Sequence, residues 1–150
     1  MKASKPGAIA AHAELTLGRA RASLGEARYA VNMDVGGHTI VADEPEALGG
    51  GNAGARPFGL LLAALGACTL MTLRMYAERK QWPLVALDVR LRYLRPSSGG
   101  ADRIERVLEI AGLDDQRRAK LADIAERTPV TLAIKGGVII DTRLASPAAG

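Results

Sequence analysis

Hydrophobic and polar positions divide the chain into three kinds of segment. From Ala20 to Ala42, short alternating runs are broken by turn residues: Ala20–Leu24, Gly25-Glu26, Arg28–Asp34, Gly36-Gly37 and His38–Ala42. Two-residue breaks containing glycine between such runs are hairpin signals, so the spacing predicts a three-strand antiparallel meander. Residues 43–56 (DEPEALGGGNAGAR) read as a long flexible loop. Pro57 suits a first helical position, and the run Leu60–Leu73 (LLLAALGACTLMTL) is apolar or small on every side. That predicts a central helix reaching to about Tyr76 and buried all round. Charges at Arg56, Arg74, Glu78, Arg79 and Lys80 crowd it at both ends, so it is expected to fall short of a membrane span.

Beyond Trp82-Pro83, Val85, Leu87, Val89, Leu91 and Tyr93 alternate with polar or small residues, the mark of a strand with one wet face. Arg103–Ala111 is expected to return antiparallel to it, although Ile104, Val107, Leu108 and Ala111 also fit helical spacing. Asp114-Asp115 places acidic groups at the start of a second helix running to Arg127. Thr128 and Pro129 suit the N-cap and first position of a further helical turn, and Val138–Leu144 (VIIDTRL) reads as a last strand. Strands grouped in blocks around two long helices imply an α+β, two-layer fold. Residues 1–13 are expected to form a loose arm, 14–145 the domain and 146–150 a tail.

A single small sheet cannot cover both sides of an all-apolar helix, which predicts a homodimer. Composition narrows the chemistry. With 150 residues, a net charge of +4 spread among acidic groups, and 3% aromatic residues, the chain offers little for nucleic-acid stacking. Its one cysteine, Cys68, excludes an internal disulfide and a multi-cysteine metal site, and fits a reducing cytoplasm. His12 and His38 share no metal-ligand spacing and are expected to be solvated. The glycine-rich loop lacks the ending of a phosphate loop. No Ser-His-Asp set is apparent, and no metal, organic cofactor, membrane or nucleic-acid partner is expected.

Three stretches together resemble the OsmC/Ohr family of small bacterial thiol peroxidases: Asp43–Gly50 (DEPEALGG), Leu60–Thr69 (LLLAALGACT) and Ile124–Val130 (IAERTPV). Their order and spacing match over about Leu15 to Ala145. The resemblance implies an OsmC-like fold, with antiparallel sheets wrapped around central helices in an intertwined homodimer and active sites at the interface. It places Cys68 as the peroxidatic cysteine, which reduces organic hydroperoxides with the help of an arginine from the early hairpin. Arg28 is the nearest candidate and Arg21 the other. The family's helper glutamate, just after the proline at the helix start, is replaced by Phe58, and the resolving cysteine by Thr128.

A thiolate is the attacking species, and Cys68 lies about three turns into its helix among Ala64, Leu65, Met71 and Thr72, so that helix's own N-terminus cannot support it. An arginine brought from elsewhere is therefore expected to do so, and Phe58 is expected to displace it. Two functions follow, with a purely structural or partner-binding dimer as a third. One is a single-cysteine hydroperoxide reductase restored by an external thiol, such as a lipoylated protein or a small thiol, with its activity retained or lost. The other is a non-catalytic dimer that binds a small hydrophobic ligand in an interface pocket lined by Phe58, Leu61, Leu65, Met71 and Thr128 beside Cys68.

Overall fold

A computed structural model describes residues 14–146. His12 and most of the expected arm and tail lie outside the described residues. The chain divides into two compact units, residues 1–56 and 57–150.

The first unit is the meander. β1 (Ala20–Leu24), β2 (Val31–Val35) and β3 (His38–Ala42) pair antiparallel in that order. Gly36 and Gly37 form the two-residue turn between Val35 and His38, both at positive φ (61° and 87°), as such a tight hairpin requires. The first connection is longer than the two residues expected: Leu24 pairs with Val31, and Gly25 N–H donates to Ala30 O at 2.8 Å. Arg28 therefore lies in the turn, with its guanidinium over the Tyr29 ring at 4.8 Å. The glycine-rich segment is held in place by specific bonds. The buried Asp43 carboxylate accepts the N–H groups of Glu44, Gly51 and Ala53 at 2.8–3.1 Å. Residues Glu46–Leu48 form a 3-10 turn. A Cβ on Gly50 would lie 1.9 Å from Glu44 O, so the loop closes only around glycine.

The second unit carries α1 (Pro57–Arg79), the hairpin β4 (Ala86–Leu94) and β5 (Arg103–Ala111), α2 (Asp115–Ala125) and α3 (Pro129–Gly136). β4 and β5 pair in register from Ala86–Ala111 to Leu94–Arg103, so Leu87, Val89, Leu91 and Tyr93 share a face with Ile104, Arg106, Leu108 and Ile110. The opposite face carries the exposed pairs Arg90–Glu109 and Arg92–Glu105. Asp114 caps α2 by accepting Arg117 N–H at 2.8 Å, the local reason this helix starts where the acidic pair predicts. Leu73, Leu121 and Ala125 are fully buried, with Tyr76, Trp82, Leu87, Leu108 and Ile110 packed around them.

α1 runs further than its apolar core, and by length and composition alone it could cross a bilayer. Packing gives it a different place. Leu65, Gly66, Thr69, Leu73 and Ala77 form a buried stripe at three- and four-residue spacing. Gly66 permits the close approach, since a Cβ there would meet Leu91 Cδ1 at 3.2 Å. The expectation of burial all round does not hold within one chain: Ala63, Ala64, Ala67, Met71 and Met75 are exposed.

The expected last strand is also corrected. Residues 138–144 have no regular structure, and Val138, Ile139, Ile140 and Leu144 are 71–96% exposed. A strand is defined by its ladder, and no described strand lies beside this segment to complete one.

Candidate functional site

Cys68 stands near the middle of α1, half-buried, one residue before the buried Thr69. The helix that bears it offers the thiol no donor, but α3 does. Thr128, with extended φ/ψ of −66° and 152°, is the N-cap residue of α3, and Pro129 follows as the first helical residue. Pro129 has no N–H, so Val130 carries the first free one of the helix. It donates to Cys68 Sγ at 3.5 Å. A second helix thus turns its N-terminal end toward Cys68.

Thr128 occupies the N-cap as expected, but its side chain does not cap. Its hydroxyl contacts Thr131 Oγ1 at 2.7 Å, and the sulfur takes the N–H that a capping oxygen would otherwise accept. Both threonines are buried, at 1% and 5% exposure.

Behind this turn lies a polar cluster. Arg106, whose side chain is 11% exposed, donates to Thr69 Oγ1 at 3.2 Å, to Thr131 Oγ1 at 2.9 Å and to Glu126 Oε1 at 2.9 Å. Lys135 pairs with Glu126 as well. The hydrogen bonds from Lys135 and then Arg106 hold the Glu126 carboxyl below the ordinary carboxylate range. An open cleft of about 680 Å³ adjoins the cluster, lined among others by Leu65, Tyr93, Ile104, Arg106, Thr131 and Lys135.

Phe58, at the start of α1, is 49% exposed and lies against Tyr93 with ring centroids 4.5 Å apart. The Tyr93 hydroxyl donates to Asp102 at 2.7 Å, and Asp102 also accepts three bonds from Arg95. Asp102 is held low by Arg95 and then Tyr93, and Tyr93 is pushed up by the carboxylate that accepts its proton. The Arg95 guanidinium sits 5.8 Å from the Phe58 ring.

The residues expected from sequence are distributed as follows. Cys68 Sγ meets the Val130 N–H at the start of α3, where Thr128 is the N-cap, and Leu65 is in the wall of the cleft. Leu61 is half-buried and Met71 is 65% exposed on α1. Arg28 and Arg21 belong to the first unit. Sequence reading passed over Arg106, Glu126, Lys135, Thr131 and Val130. In strand register Arg106 falls between Ile104 and Leu108 on the core-facing side. Among the described residues no group of three or more His, Cys, Asp or Glu side chains could hold a metal ion.

Comparisons with known proteins agree with this fold. The profile of the family described as OsmC-like protein matches residues 49–143. An OsmC-like protein from Mycoplasma pneumoniae superposes with a TM-score of 0.68 at 22% identity, covering 81% of this chain and 89% of that one. An organic hydroperoxide resistance protein from Legionella pneumophila gives a TM-score of 0.62 at 21% identity over 83% and 93% of the two chains. The organic hydroperoxide resistance protein OhrB of Bacillus subtilis gives 0.58 at 21% identity over 82% and 93%. Comparison with curated protein sequences gives no match.

Proposed function

The chain belongs to the OsmC-like family, and from that membership we propose that it is a single-cysteine, thiol-dependent reductase of organic hydroperoxides. The observation that carries the reading is the Val130 N–H on Cys68 Sγ at the N-terminus of α3. A sulfur that accepts a backbone N–H at a helix N-terminus is a candidate nucleophile. The Cys68 thiolate attacks one peroxide oxygen, the O–O bond breaks, and the alkoxide leaves and takes a proton to become the alcohol. Cys68 is left as a sulfenic acid. With threonine at position 128, the second sulfur comes from outside. One external thiol condenses with the sulfenic acid to a mixed disulfide and releases water, and a second thiol frees Cys68 and leaves as a disulfide. A cytoplasmic dithiol or small thiol fits that role, and a reducing cytoplasm fits the lone free cysteine.

The working unit of the proposal is a homodimer. Support comes from the exposed apolar face of α1, the two-stranded β4–β5 sheet, which is marginal as an isolated pair, and the exposed run Val138–Leu144. Light scattering at micromolar concentration should return twice the chain mass; a monomer would overturn this part.

The chemical test is dimedone labelling with and without cumene hydroperoxide, read by peptide mass spectrometry. A hydroperoxide-dependent adduct on Cys68 is expected. Its absence, with Cys68 still alkylated by iodoacetamide, would sink the reductase reading in favour of a non-catalytic dimer that binds a small hydrophobic ligand. Phe58, in place of the family's glutamate, favours that second reading.

A further inference from the structure

Arg106 is a cation on the core-facing side of β5, between Ile104 and Leu108 and opposite Leu91. Withdrawing a guanidinium from water is costly unless its donors are matched, so its partners indicate what it is there to hold. One nitrogen, Nη1, reaches both Thr69 Oγ1 and Thr131 Oγ1, while Nη2 reaches Glu126. The proton count is restrictive. The Thr69 hydroxyl donates to Leu65 O at 2.8 Å and the Thr131 hydroxyl to Ala125 O at 3.1 Å, so both oxygens meet Arg106 with lone pairs. The Thr128 hydroxyl must then be the donor in its contact with Thr131. Arg106 thereby links α1, the end of α2 and the first turn of α3. Its two threonine partners are the sequence neighbours of Cys68 and Val130.

We propose that Arg106 is a positioning residue for Cys68. By clasping Thr131 to Thr69 it fixes the first turn of α3 against α1, so that the Val130 N–H stays aimed at the sulfur. This rests on the reading of Cys68 as a nucleophile and adds the device that keeps a donor aimed at its sulfur. Arg106 acts through the α3 turn, and Glu126 and Lys135 hold its other end.

The test is the pH profile of iodoacetamide alkylation of Cys68 in the full chain, for the parent protein and for Arg106→Met, Arg106→Lys, Thr131→Val and Leu121→Ala, each with a thermal melt. Arg106→Met and Thr131→Val should be alkylated about threefold to tenfold more slowly at pH 7, with the profile displaced to higher pH. Arg106→Lys should recover part of the loss, since one ammonium can serve some but not all of the fork's acceptors. Leu121→Ala, a core variant whose side chain makes none of the hydrogen bonds of the cluster, should melt lower and leave the profile in place. If Arg106→Met does not fold, Thr131→Val and Arg106→Lys decide the matter. A parent-like profile in folded Arg106 and Thr131 variants would overturn the proposal, as would an equal displacement in Leu121→Ala. A displaced profile without a dimedone adduct would remove the reductase reading and leave the positioning role standing.

Discussion

Replacing Thr128 with cysteine should convert the site from external to internal resolution, and the structure sets the size of each effect. Thr128 is buried and its hydroxyl bonds only Thr131 Oγ1 at 2.7 Å, without capping α3. In the reduced state Thr128→Cys therefore loses one neutral hydrogen bond, roughly 1 kcal/mol, and no cap. Oxidised, it should form a disulfide with Cys68, because Val130, two residues on, already touches the sulfur. That bond would close a loop of about 60 residues, for which chain entropy gives about 4 kcal/mol of stabilisation before strain. The oxidised variant should thus exceed its own reduced form by about 4 kcal/mol and the parent by about 3 kcal/mol. Intact mass after one equivalent of cumene hydroperoxide should show the loss of two hydrogens within one chain, and the melting temperature should rise on oxidation and fall with dithiothreitol. If peroxide gives only sulfinic acid or disulfide-linked pairs of chains, position 128 does not face Cys68 and the placement of the site at the start of α3 is wrong.

Other expectations are more local. Leu121→Ala, at a fully buried core position, should cost about 3–5 kcal/mol and lower the melting temperature by more than about 10 °C in calorimetry. Asp43 is held below the ordinary carboxylate range, first by the Ala53 N–H and then by those of Glu44 and Gly51. Its stabilisation of the loop is present above about pH 4 and lost as pH falls through the lowered value. Asp43→Asn should accordingly speed proteolytic nicking within residues 44–56 at pH 7 and blunt its acid dependence, and an unchanged nicking rate would contradict the assigned role. Phe58→Glu should lose the Tyr93 contact while Arg95 stays on Asp102, leaving the Cys68 alkylation rate within about twofold. A clear acceleration would show instead that Arg28 or Arg21 reaches the sulfur.

Elements whose pattern depends on one chain alone were readable from sequence. Alternation in Leu87–Tyr93, the glycine pair at Gly36-Gly37 and the acidic start of α2 each have a local cause, and each appears where that cause places it. Val138–Leu144 shows the limit. Its residues favour a strand, but pairing is a relation between segments, and local preference cannot supply the neighbour. The apolar circumference of α1 has the same ambiguity, because sequence counts apolar residues without saying which chain covers them. The site was half legible. Cys68 and Thr128 stood out by residue type, whereas Arg106 lay in a run whose apolar positions fit two periods, and its inward register became visible only once the strand was fixed.

The start of α1 and the surroundings of Cys68 are held by separate sets of bonds. Phe58 and Cys68 are ten residues apart on α1, about 15 Å along its axis. At the Phe58 end, arginine and carboxylate still meet, but as Arg95 with Asp102, joined by the Tyr93 hydroxyl and capped by the Phe58 ring. That set is complete in itself, with both charges paired, and has no need of a glutamate at 58. At the Cys68 end, the donor is a backbone N–H of α3, whose place depends on Thr131, Thr69 and Arg106 rather than on the start of α1. A substitution at one end therefore leaves the hydrogen bonds of the other intact. Phe58 thus makes the start of α1 apolar, which suits a hydrophobic ligand, while the donor at the sulfur stays in place.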